Sequence, residues 1–288
     1  MSLAELILVA LKLSIISTVF ALGLRTRLED LTFLLRHPGR LVRSILAMNF
    51  IMPLIAAAIV LTLDLQPPLS TMLIALSLAP VPPLLPKKVV KAGGDESYGA
   101  SLLVIAALFT IVSIPISVEV IERAMGIPLS VDPLDVVKLL LMSLMAPLIL
   151  GLVIHRLAPL LAVRLAKPVA AVAGVVLLLA TLGLVVSSGR AMLDGLGHGT
   201  LIAITSFIVI GLAVGHLLGG PKPIDRTVLA LATVSRHPGI ALGITNIALP
   251  TIEGLLPYLL IYLLAGAVLD VPYMAWRKKQ SAMPELAP

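Results

Sequence analysis

Cysteine is absent from this sequence, which excludes disulfide bonds, thiol chemistry and metal sites ligated by cysteine. Charged residues are scarce as well, at 12% of 288 positions, where soluble domains carry about 25%. Hydrophobic residues instead make up 59%, and the mean hydropathy is +1.11. These values indicate an integral membrane protein with room for about nine or ten spanning helices and for no separate soluble domain.

Further absences narrow the function. The five histidines are scattered without HExxH or similar spacing, so the sequence predicts no metal site, no cofactor and no enzyme active site. No GxxxxGK[ST] stretch is present, and any energy for transport must therefore come from a gradient or from exchange. Aromatic residues make up only 3% and the basic residues are scattered, which argues against a nucleic-acid partner despite the net charge of +6.

Apolar stretches bounded by charged residues, proline and glycine predict nine spans, which fill a single transmembrane domain over residues 1–288. The first stretch lacks a basic leader and a cleavage site, so we count it as a span rather than a signal peptide. The predicted spans cover residues 4–24, 41–63, 69–92, 98–121, 134–155, 168–188, 199–219, 227–249 and 254–276.

The Lys and Arg residues are unevenly distributed between these spans. Sixteen of the 21 fall in alternate segments that include the carboxyl-terminal one. Because basic residues are retained on the cytoplasmic side, we expect the carboxyl terminus in the cytoplasm and, with nine spans, the amino terminus outside. The cytoplasmic membrane of a cell is the default location, and the oligomeric state stays open.

The third predicted span contains a cluster of prolines, in the stretch APVPPLLPKKVVKAGG. Proline lacks a backbone N–H and clashes with the preceding helical turn, so Pro82, Pro83 and Pro86 predict a break in this span. Unpaired backbone at membrane depth is tolerated only where protein or a water-filled cavity covers it. The break is therefore expected inside the bundle, beside a pathway.

The eighth predicted span carries a second candidate break, at Pro238 and Gly239 in ALATVSRHPGIALGITNIALP. Two broken spans that lie five apart run in opposite directions, as in transporters with inverted-topology repeats. We therefore predict an all-α polytopic membrane protein with nine transmembrane helices and two broken crossing helices. Repeat one would cover residues 1–125, a linker span residues 126–160, and repeat two residues 161–280. Simple proline kinks are the alternative.

Cationic side chains lie at both breaks, namely Lys87, Lys88 and Arg236. No acidic residue precedes Asp95 in the crossing segments, and the N-termini of half-helices add partial positive charge. Buried cations without partners are expensive in a membrane, so the crossing is expected to bind an organic anion. The alternative for the lysines is that they extend to the cytoplasmic surface.

Three uncharged groups complete the predicted substrate-binding set. The unperturbed pKa of a histidine side chain lies near neutral pH, so His237 makes proton coupling a possibility. Asn49 and Ser235 offer oxygen atoms close to the predicted breaks. Buried amides that bond a neighbouring helix are the common alternative.

Three stretches resemble the bile acid:sodium symporter family. The segment LGLRTRLEDLTFLLRHPGRLVRSILAMNFIMPLIA is similar to the one that joins the first two spans of a nine-span member. The segments APVPPLLPKKVVKAGGDESYGASL and RTVLALATVSRHPGIALGIT occupy the places of the two crossing helices. The resemblance runs through most of the chain, and it implies a core domain with two crossing helices beside a panel domain.

The chain departs from this family where sodium-coupled members bind sodium. The resemblance places Leu85 and Pro86 at a Ser-Asn pair, Ala232 at a glutamate, Arg236 and His237 at a Gln-Asn pair, and Met48 at a glutamine. Na⁺ prefers hard oxygen ligands, and nearly all of them are missing. We hypothesise that Arg236 and one of the two lysines supply the positive charge that sodium supplies in relatives.

The sequence thus favours a secondary active or facilitative transporter of a small organic anion, which works by alternating access in a lipid bilayer. A sodium-coupled symporter of a bile acid-like anion is one alternative. A membrane sensor or structural component that transports nothing is an alternative from another class.

Overall fold

The computed structural model describes residues 3–125, 132–197, 199–249 and 251–282, and these residues form helices and connecting turns with no β-strand. The predicted all-α class is confirmed for this part of the chain. The longer helices are α1 (Leu3–Gly23), α2 (Pro38–Leu63), α3 (Pro67–Leu78), α4 (Leu85–Lys91), α5 (Glu96–Met125), α6 (Leu134–Leu157), α7 (Pro159–Gly195), α8 (Thr200–Leu218), α9 (Pro223–Val234), α10 (Pro238–Ala248) and α11 (Leu255–Ala282). Two helical segments of four residues each, Leu28–Leu31 and Phe33–Arg36, lie between α1 and α2.

Seven helical stretches in the described ranges are long and apolar enough to cross a membrane. They are α2, α5, α6, α7, α8, α11 and the pair α9 and α10 taken together. The remaining apolar helices, α1 and α3, contribute shorter stretches. Nine spans therefore stay a prediction, as do the repeat boundaries, and residues 126–131 of the predicted linker span lie outside the described residues.

Both predicted breaks coincide with interruptions of helix. Helix α3 begins at Pro67 and ends at Leu78, and the chain is not helical again until α4 begins at Leu85. Pro82 and Pro83 lie in this gap, where their missing N–H groups prevent helical hydrogen bonds. Pro86 instead lies in the first turn of α4, where a proline is tolerated because its N–H would have no helical partner.

The second interruption is shorter. Helix α9 ends at Val234, and α10 begins at Pro238, so that three residues separate the two half-helices. Pro238 and Gly239 occupy the first turn of α10. His237 precedes α10 in an extended conformation and acts as its N-cap.

Two spanning helices contain a π-helical segment, at Leu46–Ile51 in α2 and at Leu141–Met145 in α6. Each segment lies just before a proline, Pro53 in α2 and Pro147 in α6. A π-helix shifts hydrogen bonds from the fourth to the fifth residue along the chain. This shift leaves some carbonyl groups without donors, and one of them reaches the site described below.

Glycines allow α8 and α9 to pack closely. Gly211, Gly215 and Gly219 follow one another at intervals of four residues on the face of α8 that contacts α9. A Cβ atom at Gly215 would lie 2.5 Å from the Cα atom of Ala230 on α9. Small residues at this spacing let membrane helices approach one another at backbone distance.

The helices group around two sides of a cavity. Helix α1 packs mainly on α6 and α7, whereas α3, α8 and the half-helices α9 and α10 pack with α11. Helix α7 is longer than the predicted span of residues 168–188, because the basic segment before it is already helical from Pro159 onwards. The residues of that segment are good helix formers, and Pro159 takes the first helical position.

Candidate functional site

The two breaks contact each other through the backbone. The N–H group of His237 donates a hydrogen bond of 2.8 Å to the carbonyl oxygen of Pro80. In a continuous helix that N–H group would bond the carbonyl of Thr233, four residues earlier. The contact therefore satisfies one donor of the second break and leaves the Thr233 carbonyl without its helical partner.

Two more carbonyl groups near this contact lack helical donors because of prolines. The helical donor for the Ala79 carbonyl would be the nitrogen of Pro83, which carries no hydrogen. In α2 the π-helical pattern joins the Met52 N–H group to the Ala47 carbonyl, so the next carbonyl, that of Met48, faces the nitrogen of Pro53. The Met48 carbonyl therefore has no helical N–H donor.

The guanidinium group of Arg236 satisfies all three of these carbonyls. Its Nε donates to the Thr233 oxygen at 2.9 Å, and its two terminal nitrogens donate to the Ala79 oxygen at 3.1 Å and to the Met48 oxygen at 3.0 Å. Arg236 is only 2% exposed. One buried cation thus joins α2, the first break and the second break.

This arrangement explains how an arginine is tolerated deep in the bundle. Two of the three carbonyls, those of Ala79 and Thr233, lie at helix C-termini, which carry partial negative charge. The cation is therefore stabilised by helix dipoles as well as by hydrogen bonds. The guanidinium group has five N–H donors, and three of them are bonded to these carbonyls. The charge itself is not cancelled by a carboxylate in an ion pair among the described residues.

A cavity of about 430 Å³ adjoins the breaks. Leucine, isoleucine, valine and proline side chains from α1, α7, α11 and both breaks make up most of its wall. The polar and charged residues that also line it are Thr18, Lys88, Thr181, Ser235, Arg236, His237, Tyr262 and Asp270. The cavity is therefore mainly apolar, with its ionic groups concentrated beside the breaks.

Lys88 extends from α4 towards the second break and α11. Its Nζ donates to the Ser235 hydroxyl at 2.8 Å and forms an ion pair with the Asp270 carboxylate. The Lys88 side chain is 26% exposed and the Asp270 side chain 6% exposed. This pair corrects the expectation that Lys88 has no counter-ion in the protein, because the acid comes from α11 rather than from either broken helix.

His237 is buried beside Arg236. Its Nδ1 accepts a hydrogen bond from the Ile240 N–H group at 3.3 Å, while its Nε2 has no partner among the described residues. The ring thus caps the first turn of α10. Protonation of Nδ1 would remove this cap, because a protonated ring nitrogen cannot accept.

The structure separates the predicted substrate-binding residues into two groups. Lys88, Ser235, Arg236 and His237 line the cavity. Lys87 and Asn49 are half-buried on α4 and α2, and the cavity wall does not include them. Of the predicted break residues, Pro82, Pro83, Pro238 and Gly239 also contribute to the wall.

Four polar or charged residues of the cavity wall were not predicted from the sequence, namely Thr18, Thr181, Tyr262 and Asp270. A signal for Asp270 was present, because it is a lone carboxylate in the apolar run of the ninth predicted span, and ionisable residues in spans often mark function. The Tyr262 hydroxyl donates to the carbonyl of Val234, the last residue of α9. No sequence pattern predicts that contact, since it depends on how α11 packs against the break.

Comparison with known proteins agrees with an all-helical membrane protein. No curated protein matches the sequence significantly. The family described as the sodium bile acid symporter family matches residues 12–195, which is more than half of the chain. This match and the apolar helices identify a multi-pass membrane protein. The chain therefore belongs to the sodium bile acid symporter family, a family of transporters rather than enzymes.

Proposed function

We propose that this protein is a secondary active or facilitative transporter of a small amphipathic organic anion, and that it does not use sodium at the crossing of its broken helices. The observation that carries the proposal is the position of Arg236, a fixed cation hydrogen-bonded to three orphaned carbonyls beside an apolar cavity.

The charges of the cavity support an anionic substrate. Lys88 and Asp270 neutralise each other, whereas Arg236 has neutral carbonyl partners, so the ionic groups that line the cavity sum to about one positive charge when His237 is neutral. An anionic group entering the cavity would offset that charge. The apolar wall favours a substrate whose remainder is hydrophobic.

The contacts of Arg236 support transport without sodium at this place. Backbone carbonyls are hard oxygen donors of the kind that Na⁺ prefers. Here three of them already bind the guanidinium group, which carries its charge permanently. The bile acid substrate and sodium coupling in the family's name make a sodium-coupled symporter of a bile acid-like anion the competing function.

Alternating access through nine spans, with two inverted repeats, is part of the same proposal. The two interrupted helices and the hydrogen bond between their breaks support it. We further infer a cytoplasmic membrane location with the amino terminus outside and the carboxyl terminus inside, since basic residues concentrate in alternate segments.

Substitution of Lys88 tests the anion site. Purified protein in liposomes is assayed for exchange of radiolabelled cholate, taurocholate, octanoate and octanesulfonate, with choline and glucose as the cationic and neutral probes. We expect exchange of one or more anions only. Lys88→Gln should lower the exchange rate at least about tenfold, which corresponds to about 1.4 kcal/mol of lost interaction.

Lys87→Gln is the matched control, because Lys87 is the adjacent lysine on the same helix and does not line the cavity. Its exchange rate should stay within about twofold of that of the wild type. An equal loss of anion exchange in Lys88→Gln and Lys87→Gln would contradict the proposed anion site. Exchange of no probe by the wild type would favour a membrane sensor or structural component.

A further inference from the structure

A second ionic cluster lies at the edge of the cavity, apart from the Arg236 contacts. It consists of Lys88 on α4, Ser235 in the second break and Asp270 on α11, and all three residues line the cavity. The cluster therefore joins both broken helices to the last helix of the bundle. A substrate that fills the cavity would reach it.

The Asp270 carboxylate has an unusual set of partners. Its Oδ2 atom pairs with Lys88, while its Oδ1 atom is buried and has no hydrogen-bond partner in the described parts of the chain. Among the described residues, Lys88 is thus the single ion-pair partner of this carboxylate. A proton added to Oδ1 would break no existing hydrogen bond.

The Ser235 hydroxyl extends the cluster towards a ligand. It accepts a hydrogen bond from Lys88, and its own hydrogen has no acceptor in the parts of the chain that the structure describes, so it can donate to a ligand. An anionic group that replaces Asp270 at Lys88 would therefore find two donors, the ammonium group and the hydroxyl group. The geometry suits a carboxylate or a sulfonate.

The other ionisable groups around the cluster do not replace Lys88 as the partner of Asp270. Arg236 uses three of its donors on carbonyls, and the Tyr262 hydroxyl donates to the Val234 carbonyl. Other ionisable groups on the neighbouring turns and helices are Lys87, Lys91, Arg226, His237, Tyr273, Arg277 and, beside Tyr273, His216. Arg277 bonds Thr227, Gln280 and the Pro223 carbonyl instead.

We propose that Asp270 is the proton-binding residue that couples transport to protons, an inference that rests on the proposed transport of an anion. The anionic group of the substrate binds Lys88 and Ser235 and displaces the Asp270 carboxylate from Lys88. Oδ1 of Asp270 then takes a proton from water in the cavity and forms an O–H bond. On the other side of the membrane the substrate leaves, the proton returns to water, and the ion pair with Lys88 forms again.

The physical basis is the cost of an unpaired buried charge. Once Lys88 turns to the substrate, the Asp270 carboxylate is buried without a counter-ion, and protonation removes that charge. Substrate and proton therefore favour each other's binding, and this coupling is reciprocal. One singly charged anion and one proton cross together, which makes the cycle electroneutral.

The experiment measures accumulation of radiolabelled taurocholate and octanesulfonate in proteoliposomes with an outside pH one unit below the inside. Sulfonates stay ionised, so they do not cross lipid as neutral acids, and protein-free liposomes give the background. With one proton per anion, the wild type should accumulate an exchanged sulfonate about tenfold. Asp270→Asn should exchange it at symmetrical pH but show no accumulation driven by the pH gradient.

Matched variants separate coupling from folding. Asp225 is another buried aspartate with one oxygen that has no partner among the described residues, and it pairs with Arg40 away from the cavity. The Asp225→Asn variant should keep the accumulation driven by the pH gradient. Asp270→Glu should restore part of it. His237→Asn keeps a capping acceptor and should still couple.

The outcomes distinguish this inference from the function on which it rests. If the wild type exchanges sulfonates but does not accumulate them in response to the pH gradient, the coupling is overturned and the proposed transporter stands. The same holds if Asp270→Asn still accumulates them in response to the gradient. If only His237→Asn loses the accumulation driven by the pH gradient, the histidine binds the proton, and the proposed role of Asp270 is overturned. Exchange of no anion would overturn both proposals.

Discussion

Arg236 is the residue at which the two broken helices and α2 meet. Its three carbonyl partners are orphaned by Pro53, by Pro83 and by the hydrogen bond between the breaks. A tethered guanidinium group occupies the position at which an ion could otherwise bind these oxygens. We propose that this permanent cation stands where sodium-coupled relatives bind a mobile one.

Removal of this cation should create a dependence on sodium. Arg236→Ala leaves three buried carbonyls unpaired, each at a cost of about 1–3 kcal/mol, and opens a space lined with hard oxygens. We expect a lower melting temperature than that of the wild type and partial recovery in NaCl relative to KCl. The wild type should melt at the same temperature in both salts.

The control for this prediction is Arg226→Ala. Arg226 is a half-buried arginine whose side chain donates to a single carbonyl, that of Gly220, so its loss exposes no group of converging oxygens. Its melting temperature should not differ between NaCl and KCl. A sodium effect of equal size in both variants would show that the salt acts on the whole protein rather than at the crossing.

The sequence predicted a functional role for Arg236 but not its partners. The carbonyls come from three segments far apart in the chain, and the π-helical shift in α2 depends on a local hydrogen-bond pattern that residue types alone do not determine. Asp270 was missed for a different reason. It lies outside both broken spans, as a lone carboxylate in the last predicted span, where its apolar surroundings mark it as unusual.

At the scale of helices, proline positions predicted where α3 and α9 end. The two interruptions fall at the prolines and at the SRHPG segment, as expected from the missing N–H groups. Helix lengths are predicted less well, because the charged residues after Pro159 lie outside the predicted span of residues 168–188 and yet form the first turns of α7. Charge marks the end of the lipid-facing segment, whereas a helix can extend beyond it.

The close packing of α8 on α9 positions the second break, and Gly215→Ala tests it. A methyl group there would lie 2.5 Å from the backbone of Ala230, so the helices must move apart. We expect a loss of about 1–3 kcal/mol of stability, measured as a lower melting temperature in detergent.

Gly174→Ala provides the control within α7. Gly174 is exposed and has no atom within 4 Å of the added methyl group, so alanine should be neutral or stabilise the helix by up to about 1 kcal/mol. An equal loss in both variants would mean that the effect of Gly215→Ala reflects helix propensity or handling rather than packing against α9.

For the whole molecule, composition was the most reliable guide, since scarce charge and abundant apolar residues already required a membrane protein. The resemblance to the bile acid:sodium symporter family is confirmed by the family match. The predicted orientation in the membrane is based only on the distribution of Lys and Arg residues, and it stays a prediction.

The absence of cysteine makes that orientation directly testable. Single cysteines at Gly39, in a basic segment, and at Arg190, near the end of α7, can be introduced without background. A maleimide that does not cross membranes should label Arg190→Cys in intact cells, and Gly39→Cys only after permeabilisation. The opposite pattern would reverse the proposed topology.

The sodium dependence of uptake is the most direct test of the central claim that Arg236 replaces a mobile cation at the crossing. Proteoliposomes containing the wild type should take up an exchanged anion at the same rate with an inward Na⁺ gradient as with an inward K⁺ gradient, at equal pH on both sides. Accumulation driven several-fold by the Na⁺ gradient alone would contradict the claim and identify a sodium-coupled symporter.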